Sequence, residues 1–370
     1  MRVLILADAF FASRERALLS RLEIGLVDEG VRVIHGVPEG LGDDLSSVYS
    51  RVITYSPRTL AITRPLAARR IVRDVTVATD GPVGDEPLLD IVHVFGGSVW
   101  ALGAEVAREL GAALVLEVWR SGLTARARNE RWPGDDPLFI APDETIERSL
   151  VEAVGPGEAA VRLATWGVHS PPVLRPVLPD DQPVSLMMVG SGRDEKAFDA
   201  ALTGIAEVAG DRPDLLVFCD ALAARRAGLW RRARELRLLE QLSLIEELEA
   251  RRDLLLQGSV LIQPEASGEV RSVILEAFAG GMIVAAAADN SVSYLQDGRT
   301  ARTVGQPTSG AWGAVLRDIL CDVPKARTLA SNAYDYVRSR HRASDHVRAV
   351  LSSYLWLVGD GALPFPPRGG

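Results

Sequence analysis

The chain is poor in cysteine: Cys219 and Cys321 are the only two in 370 residues. Two thiols cannot form a disulfide framework, and no Cys/His grouping has the spacing of a zinc site. Both are expected to be small buried apolar residues. Lysine is equally rare, with Lys196 and Lys325 the only two among 41 basic residues. Positive charge is not in excess, since the net charge is −8. That argues against a general nucleic-acid binder, which would carry a basic face. No apolar run approaches the roughly 20 residues of a membrane span. The opening MRVLILADAFF lacks the longer apolar core and small-residue cleavage site of a signal peptide, and reads as a buried first strand. A cytoplasmic protein with no transmembrane segment is the expectation. There is no Asp-X-Asp metal motif and no repeat of solenoid period.

What is present is ordinary globular composition, 47% hydrophobic and 24% charged. At 370 residues the chain exceeds one typical core, so two domains are expected. Short apolar runs alternate with helical patterns from end to end. Strands are expected at Val3–Leu6, Val31–His35, Ile91–Phe95 and Leu114–Val118. Helices are expected at about Ser13–Glu29 and Val99–Leu110, closed by Gly30 and Gly111. Such alternation marks parallel sheets covered by helices, the α/β class. GVHSPPVLRPVLPDDQP, residues 167–183, holds five prolines and reads as a linker. Beyond it the alternation restarts. Strands are expected at Ser185–Val189, Leu215–Phe218, Val260–Gln263 and Met282–Ala287. Helical regions are expected at Asp194–Ala209, Ala221–Leu255 and Ala343–Val358. The last residues, GDGALPFPPRGG, are expected to be extended or disordered.

The stretch SGEVRSVILEAFAGG, residues 267–281, reads as a helix from Ser267 to the glycine pair. One carboxylate, Glu276, sits inside its apolar band. A carboxylate in low dielectric is costly unless hydrogen-bonded, and a vicinal diol would supply two such bonds. The alternative is that Glu276 lies on the one wet face of the helix.

Four segments in order carry a resemblance: APDETIERSLVEA (141–153) followed by VRLATWGVHSP (161–171), VGSGRDEKAFDAAL (189–202), VLIQPEASGEVRSVILEAFAGGMIVAAA (260–287) and DNSVSYLQDGRTARTV (289–304). In this arrangement the chain resembles the retaining glycosyltransferases of family four. The resemblance covers nearly the whole chain and is stronger from Pro142 onward.

It implies the GT-B fold, two Rossmann-like domains facing each other across a cleft. Residues 1–170 would form the acceptor-side domain, with the helix at 343–358 as a candidate to join it, and 171–342 the nucleotide-sugar-binding domain. It implies transfer of a sugar from a nucleotide-diphosphate donor to an acceptor that is a glycan, a lipid-linked molecule or a small molecule. The reaction would be metal-independent and retaining, with the donor as co-substrate and no other cofactor.

By the same resemblance Glu276 would hold the ribose hydroxyls, and Gly190 would belong to the loop that opens the donor domain. Lys196 would bind the diphosphate. Ser191 stands where the family has arginine, and Arg193 is the candidate substitute; a solvated turn is the plainer reading of Arg193–Lys196. The family's first glutamate would fall at Gly268. Glu269, one residue on, either reaches the sugar or complements a helix dipole. Amides around Gly268–Val270 could contact the donor.

Trp119 stands near the family's histidine position, as a sugar-stacking ring or as core. His93 and His169 read as structural. The loop Ala7–Arg14 lacks the family's glycine pair. These departures motivate a second reading, a catalytically silent GT-B protein that binds a nucleotide sugar or a protein partner. A GT-B epimerase would need acid and base groups facing the sugar, and no such set is assigned. The basic stretch with Arg225, Arg226, Arg231, Arg232 and Arg234 reads as a solvated face, with contact to an anionic membrane as the alternative.

Overall fold

The computed structural model describes residues 1–42, 45, 47–58, 60–79, 81, 87–134, 136–155, 160–179 and 182–359. The expectation for the last residues, 359–370, lies outside these except at Gly359. The chain divides into two compact units, Met1–Gly167 with Ala343–Gly370, and Val168–Arg342. No helix among the described residues is long and apolar enough to cross a membrane.

The first unit is built on strands β1 (Arg2–Ala7), β2 (Arg32–Pro38), β3 (Arg51–Tyr55), β4 (Ile91–Phe95), β5 (Ala113–Glu117), β6 (Leu138–Ala141) and β7 (Val161–Leu163). They form one parallel sheet in the order β3-β2-β1-β4-β5-β6-β7. Helices cover both faces of such a sheet, so its strands are apolar throughout rather than alternating. Val3–Ala7 of β1 and all of β4 are buried accordingly. In register, His35 of β2 and His93 of β4 flank Ile5 of β1. The helix expected at Ser13–Glu29 is two helices, Ala9–Ser13 and Arg16–Asp28. Asp8 caps the first by accepting the Phe10 and Phe11 amides, and the chain turns at Arg14 and Glu15.

The helix Ala343–Val358 packs back onto Arg16–Asp28. A Cβ added at Gly25 would meet Val347 Cγ2 at 2.4 Å, so only glycine lets these helices approach this closely.

The second unit carries β8 (Ser185–Met188), β9 (Leu216–Asp220), β10 (Leu242–Ile245), β11 (Val260–Gln263), β12 (Ile283–Ala287) and β13 (Arg302–Val304). All pairs are parallel, in the order β10-β9-β8-β11-β12-β13. The continuous helical region expected over Ala221–Leu255 is instead Ala221–Arg226, Leu229–Glu235, β10 and Arg252–Leu255. Left-handed backbone at Gly228, Arg237 and Glu247 breaks it, and Leu242–Ile245 pairs with β9.

The helix expected from Ser267 begins at Ser272 and ends at Ala279. Gly268 is left-handed, at φ +66°, and Arg271 is extended, so no helical turn forms before Ser272. Cys219 is buried as expected. Cys321 is exposed, because it is the last residue of helix Ser309–Cys321.

The Pro-rich stretch is strapped to the second unit. Arg175 donates to the carbonyls of Leu256 (2.7 Å) and Gly258 (2.6 Å), and Val177 and Leu178 are buried in that unit's core.

Candidate functional site

In both sheets the strand order reverses, between β1 and β4 and between β8 and β11. In open parallel sheets ligands bind beyond the carboxyl ends of strands at such points. The loops that follow these four strands are therefore the places to look.

In the second unit the loop after β8 is Val189–Asp194. Gly190 has φ +140°, and a Cβ there would come within 3.0 Å of Glu265 Oε1 and of the Phe198 ring. Its N–H donates to Glu249 Oε1 at 2.9 Å. The next amide, Ser191 N–H, donates to Glu265 Oε1 in a short hydrogen bond. The Asp194 N–H reaches Glu265 Oε2 at 3.4 Å. A run of backbone amides at the start of a helix is suited to an anion. Here the anions are two of the chain's own carboxylates, one of them from the loop after β11.

That second loop repeats the pattern. Gly268 N–H donates to Asp289 Oδ2 at 2.7 Å, and Ser291 N–H to Asp289 Oδ1 at 2.9 Å.

A chain of buried charge joins the two loops. Glu249, which holds the Gly190 amide, is paired through Oε2 with the buried Arg271 guanidinium. Its backbone carbonyl accepts from Arg252. Arg252 Nε lies 3.0 Å from Glu276 Oε2, and Arg252 Nη2 donates to Ser272 Oγ at 3.2 Å. Glu276 is 7% exposed, so it does not lie on a wet face. Its charge is offset by Arg252, and breaking such a buried pair from one side leaves an uncompensated ion. Tyr294 closes the group, its hydroxyl accepting the Arg271 amide at 3.0 Å.

The other expected residues lie around this network. Glu269 is half-buried and stands three residues before the helix, outside its first turn, so the helix-dipole reading loses its geometry. Arg193 and Lys196 are exposed around the start of helix Glu195–Ala209, which Asp194 caps through the Ala197 amide at 3.0 Å. Among the described residues neither cation has an ion-pair partner. The basic stretch after β9 is different: Arg225 pairs with Glu246 at 2.6 Å, and Arg232 with Asp199 at 2.6 Å and Glu235 at 3.0 Å. Two of its five arginines are thus paired, and Arg226 donates to the Ser191 carbonyl at 3.1 Å.

In the first unit the loops after β1 and β4 meet at Asp8. Its Oδ1 accepts the Phe10 (3.1 Å) and Phe11 (3.2 Å) amides, and its Oδ2 accepts the Ser98 hydroxyl at 2.9 Å. Burial pushes the Asp8 carboxyl up, opposed by those hydrogen bonds. Gly96 makes room for it, since a Cβ there would sit 2.0 Å from Asp8 Cγ. Asp8 had one legible sign, an Asp between an apolar strand and a helix.

Trp119 stacks on Phe10, with centroids 4.5 Å apart and planes 16° apart, and meets Phe11 edge-on. At 4% exposure it is core rather than a platform for a sugar. His93 is fully buried. Its Nδ1 lies 2.7 Å from the Tyr354 hydroxyl, and its Nε2 lies 3.3 Å from Glu117 Oε2. Trp166 donates to Glu117 Oε1 at 2.6 Å. Burial pushes Glu117 up to about 8, against the lowering by Trp166, and His93 down to about 3. Burial thus holds both groups toward their uncharged forms. His169 is exposed.

No family model matches the chain, and no curated protein sequence matches it. Solved structures do. HepE of Anabaena, crystallised with UDP and glucose, is similar at TM-score 0.70 and 15% identity, over 95% of this chain and 99% of that one. Sucrose-phosphate synthase from Thermosynechococcus elongatus is similar at TM-score 0.72 and 15% identity, over 97% and 100%. MnaA of S. aureus, crystallised with UDP, is similar at TM-score 0.68 and 11% identity, over the full length of both chains. At these identities the likeness establishes the fold: two α/β units of the GT-B kind.

Proposed function

We propose that the chain binds a nucleotide sugar in its second unit and transfers the sugar to an acceptor. The observation that carries this reading is the connected polar network beyond β8 and β11, from the Gly190 amide through Glu249 and Arg252 to Glu276. In this reading Glu276 accepts the ribose hydroxyls, held in orientation by Arg252. Lys196 and Arg193, free of ion pairs among the described residues, neutralise the diphosphate as it departs. Charge grows on that group during the reaction, so cations fixed beside it act mainly on the transition state. No metal has a part in this scheme. Glu269 and the amides near Gly268 are assigned to the sugar side. Structures similar over the whole chain that hold UDP or UDP and glucose support the ligand class. Retention at the anomeric carbon rests on the family resemblance.

A second reading has its own observation. The amides of Gly190, Ser191 and Gly268 are already satisfied by Glu249, Glu265 and Asp289. A protein whose anion-binding amides are filled internally is suited to a silent GT-B role.

Thermal shift with UDP, GDP and ADP tests both. A ligand that binds only the folded state stabilises it by about 2.7 kcal/mol at one hundred times its Kd. Stabilisation by one nucleotide, weakened in Glu276→Ala and in Lys196→Ala, is the expected result, followed by donor hydrolysis as the test of chemistry. If no nucleotide acts on the wild type but one acts on Glu265→Ala, the silent reading stands and Glu265 is the group that blocks the amides.

A further inference from the structure

The charge of this chain is unevenly placed. Between Arg51 and Arg73 there are six arginines and no acidic residue, in a chain whose net charge is −8. The segment begins in β3, the edge strand of the first sheet, and ends in helix Arg64–Ala78.

That helix has two faces. Ala68, Ile71 and Val75 are buried. On the opposite side Leu66, Arg70, Arg73 and Val77 follow at steps of four, three and four, and so share one face. Leu66 is 59% exposed and Val77 69%. In the turn before the helix Leu60 is 68% exposed and Ile62 86%. Single exposed aliphatic residues need no explanation, but several along one short segment do. Arg73 is paired with Asp74 at 3.0 Å. Among the described residues Arg58, Arg64, Arg69 and Arg70 have no ion-pair partner. In the arginine-rich stretch after β9, Arg225 and Arg232 are paired with Glu246, Asp199 and Glu235.

We propose that the surface formed by Leu60, Ile62 and Leu66 with Arg58, Arg64, Arg69 and Arg70 docks the protein on an anionic lipid bilayer. The mixture of groups selects this occupant. A peripheral membrane surface offers acidic headgroups to guanidinium groups and, just beneath them, an acyl boundary that takes aliphatic side chains. A nucleic acid would use the arginines and leave Leu60, Ile62 and Leu66 in water. The inference is independent of what the second unit binds, and its test reads no catalytic activity.

The test is co-sedimentation of the full chain with phosphatidylcholine vesicles, with and without 30 mol% phosphatidylglycerol. The expected result is binding to the anionic vesicles only, released as salt is raised from about 0.05 to 0.5 M, where the Debye length has shrunk several-fold. Each arginine changed to glutamine lowers the partition coefficient about fivefold. Ile62→Ser with Leu60→Ser weakens binding at every salt concentration and leaves the salt dependence unchanged. Both changes are on exposed side chains, and circular dichroism checks that the variants fold. The proposal is overturned if anionic vesicles do not bind the wild type at low salt. It is overturned equally if the serine variants bind as well as wild type, or if the chain binds single-stranded RNA in preference to vesicles.

Discussion

Two residues in the first sheet are held toward their uncharged forms by burial. Glu117 keeps its proton and His93 lacks one, in each case because burial disfavours the ion. The pH dependence of stability follows from this. Between the ordinary carboxylate value and about 8, native Glu117 holds a proton that the unfolded chain has released, so stability falls as pH rises. For His93 the order is reversed. Between about 3 and its ordinary value of 6.5 the unfolded chain holds the extra proton, so stability falls as pH drops. The two slopes oppose one another from about pH 4.5 to 6.5, and above that Glu117 acts alone. Chemical denaturation is expected to show a decline of up to about 1.4 kcal/mol per pH unit between pH 6.5 and 8 from this residue. Glu117→Gln removes that part of the decline; an unchanged slope in the variant would mean that Glu117 is ionised in the fold. At this scale Glu276 stood out in the sequence, being one acid in an apolar band. Its partner Arg252 stood 24 residues earlier in what read as continuous helix, and nothing local joined them.

Elements were legible where the signal was local. β1, β4, β11 and β12 are apolar runs buried on both faces, and they lie where the pattern placed them. β10 was not legible, because Leu242–Ile245 sits among charged residues that favour helix and becomes a strand only by pairing with β9. The helix after β11 begins five residues later than its composition suggested, since left-handed Gly268 and the extended Arg271 set its start. Helix packing makes a sharper test. Gly204 lies in helix Glu195–Ala209, and a Cβ there would stand 2.7 Å from the Gly313 nitrogen and 2.9 Å from the Ser309 carbonyl oxygen. Alanine favours a helix over glycine by roughly 0.8–1 kcal/mol. Overpacking against backbone costs about 1–3 kcal/mol. Gly204→Ala is therefore expected to lower the denaturation midpoint, whereas Gly310→Ala, with nothing within 4 Å, leaves it level or raises it. Equal midpoints for Gly204→Ala and wild type would mean that these two helices do not meet backbone to backbone.

At the scale of the whole molecule the C-terminal helix is the informative piece. Ala343–Val358 follows the second unit in sequence but belongs to the first, where Val350 and Tyr354 are buried and Tyr354 reaches His93. Truncation after Arg342 is expected to strip hydrogen-exchange protection from β4 and from helix Arg16–Asp28 while β8 and β11 keep theirs. Equal loss in both units would show that they do not have separate cores. The sequence by itself determined the class: apolar runs alternating with helical periods specify parallel α/β units, because burial on both faces is recorded residue by residue along each strand. It also marked Gly190, Lys196 and Glu276 as residues to watch, through their order in the chain. Only the tertiary structure decided which groups they face. The bonds that define the site join residues far apart in sequence, Gly190 to Glu249, Ser191 to Glu265 and Asp8 to Ser98. A chain records its own local preferences, whereas a carboxylate's partner is chosen by the packing that carries distant amides and guanidinium groups to it.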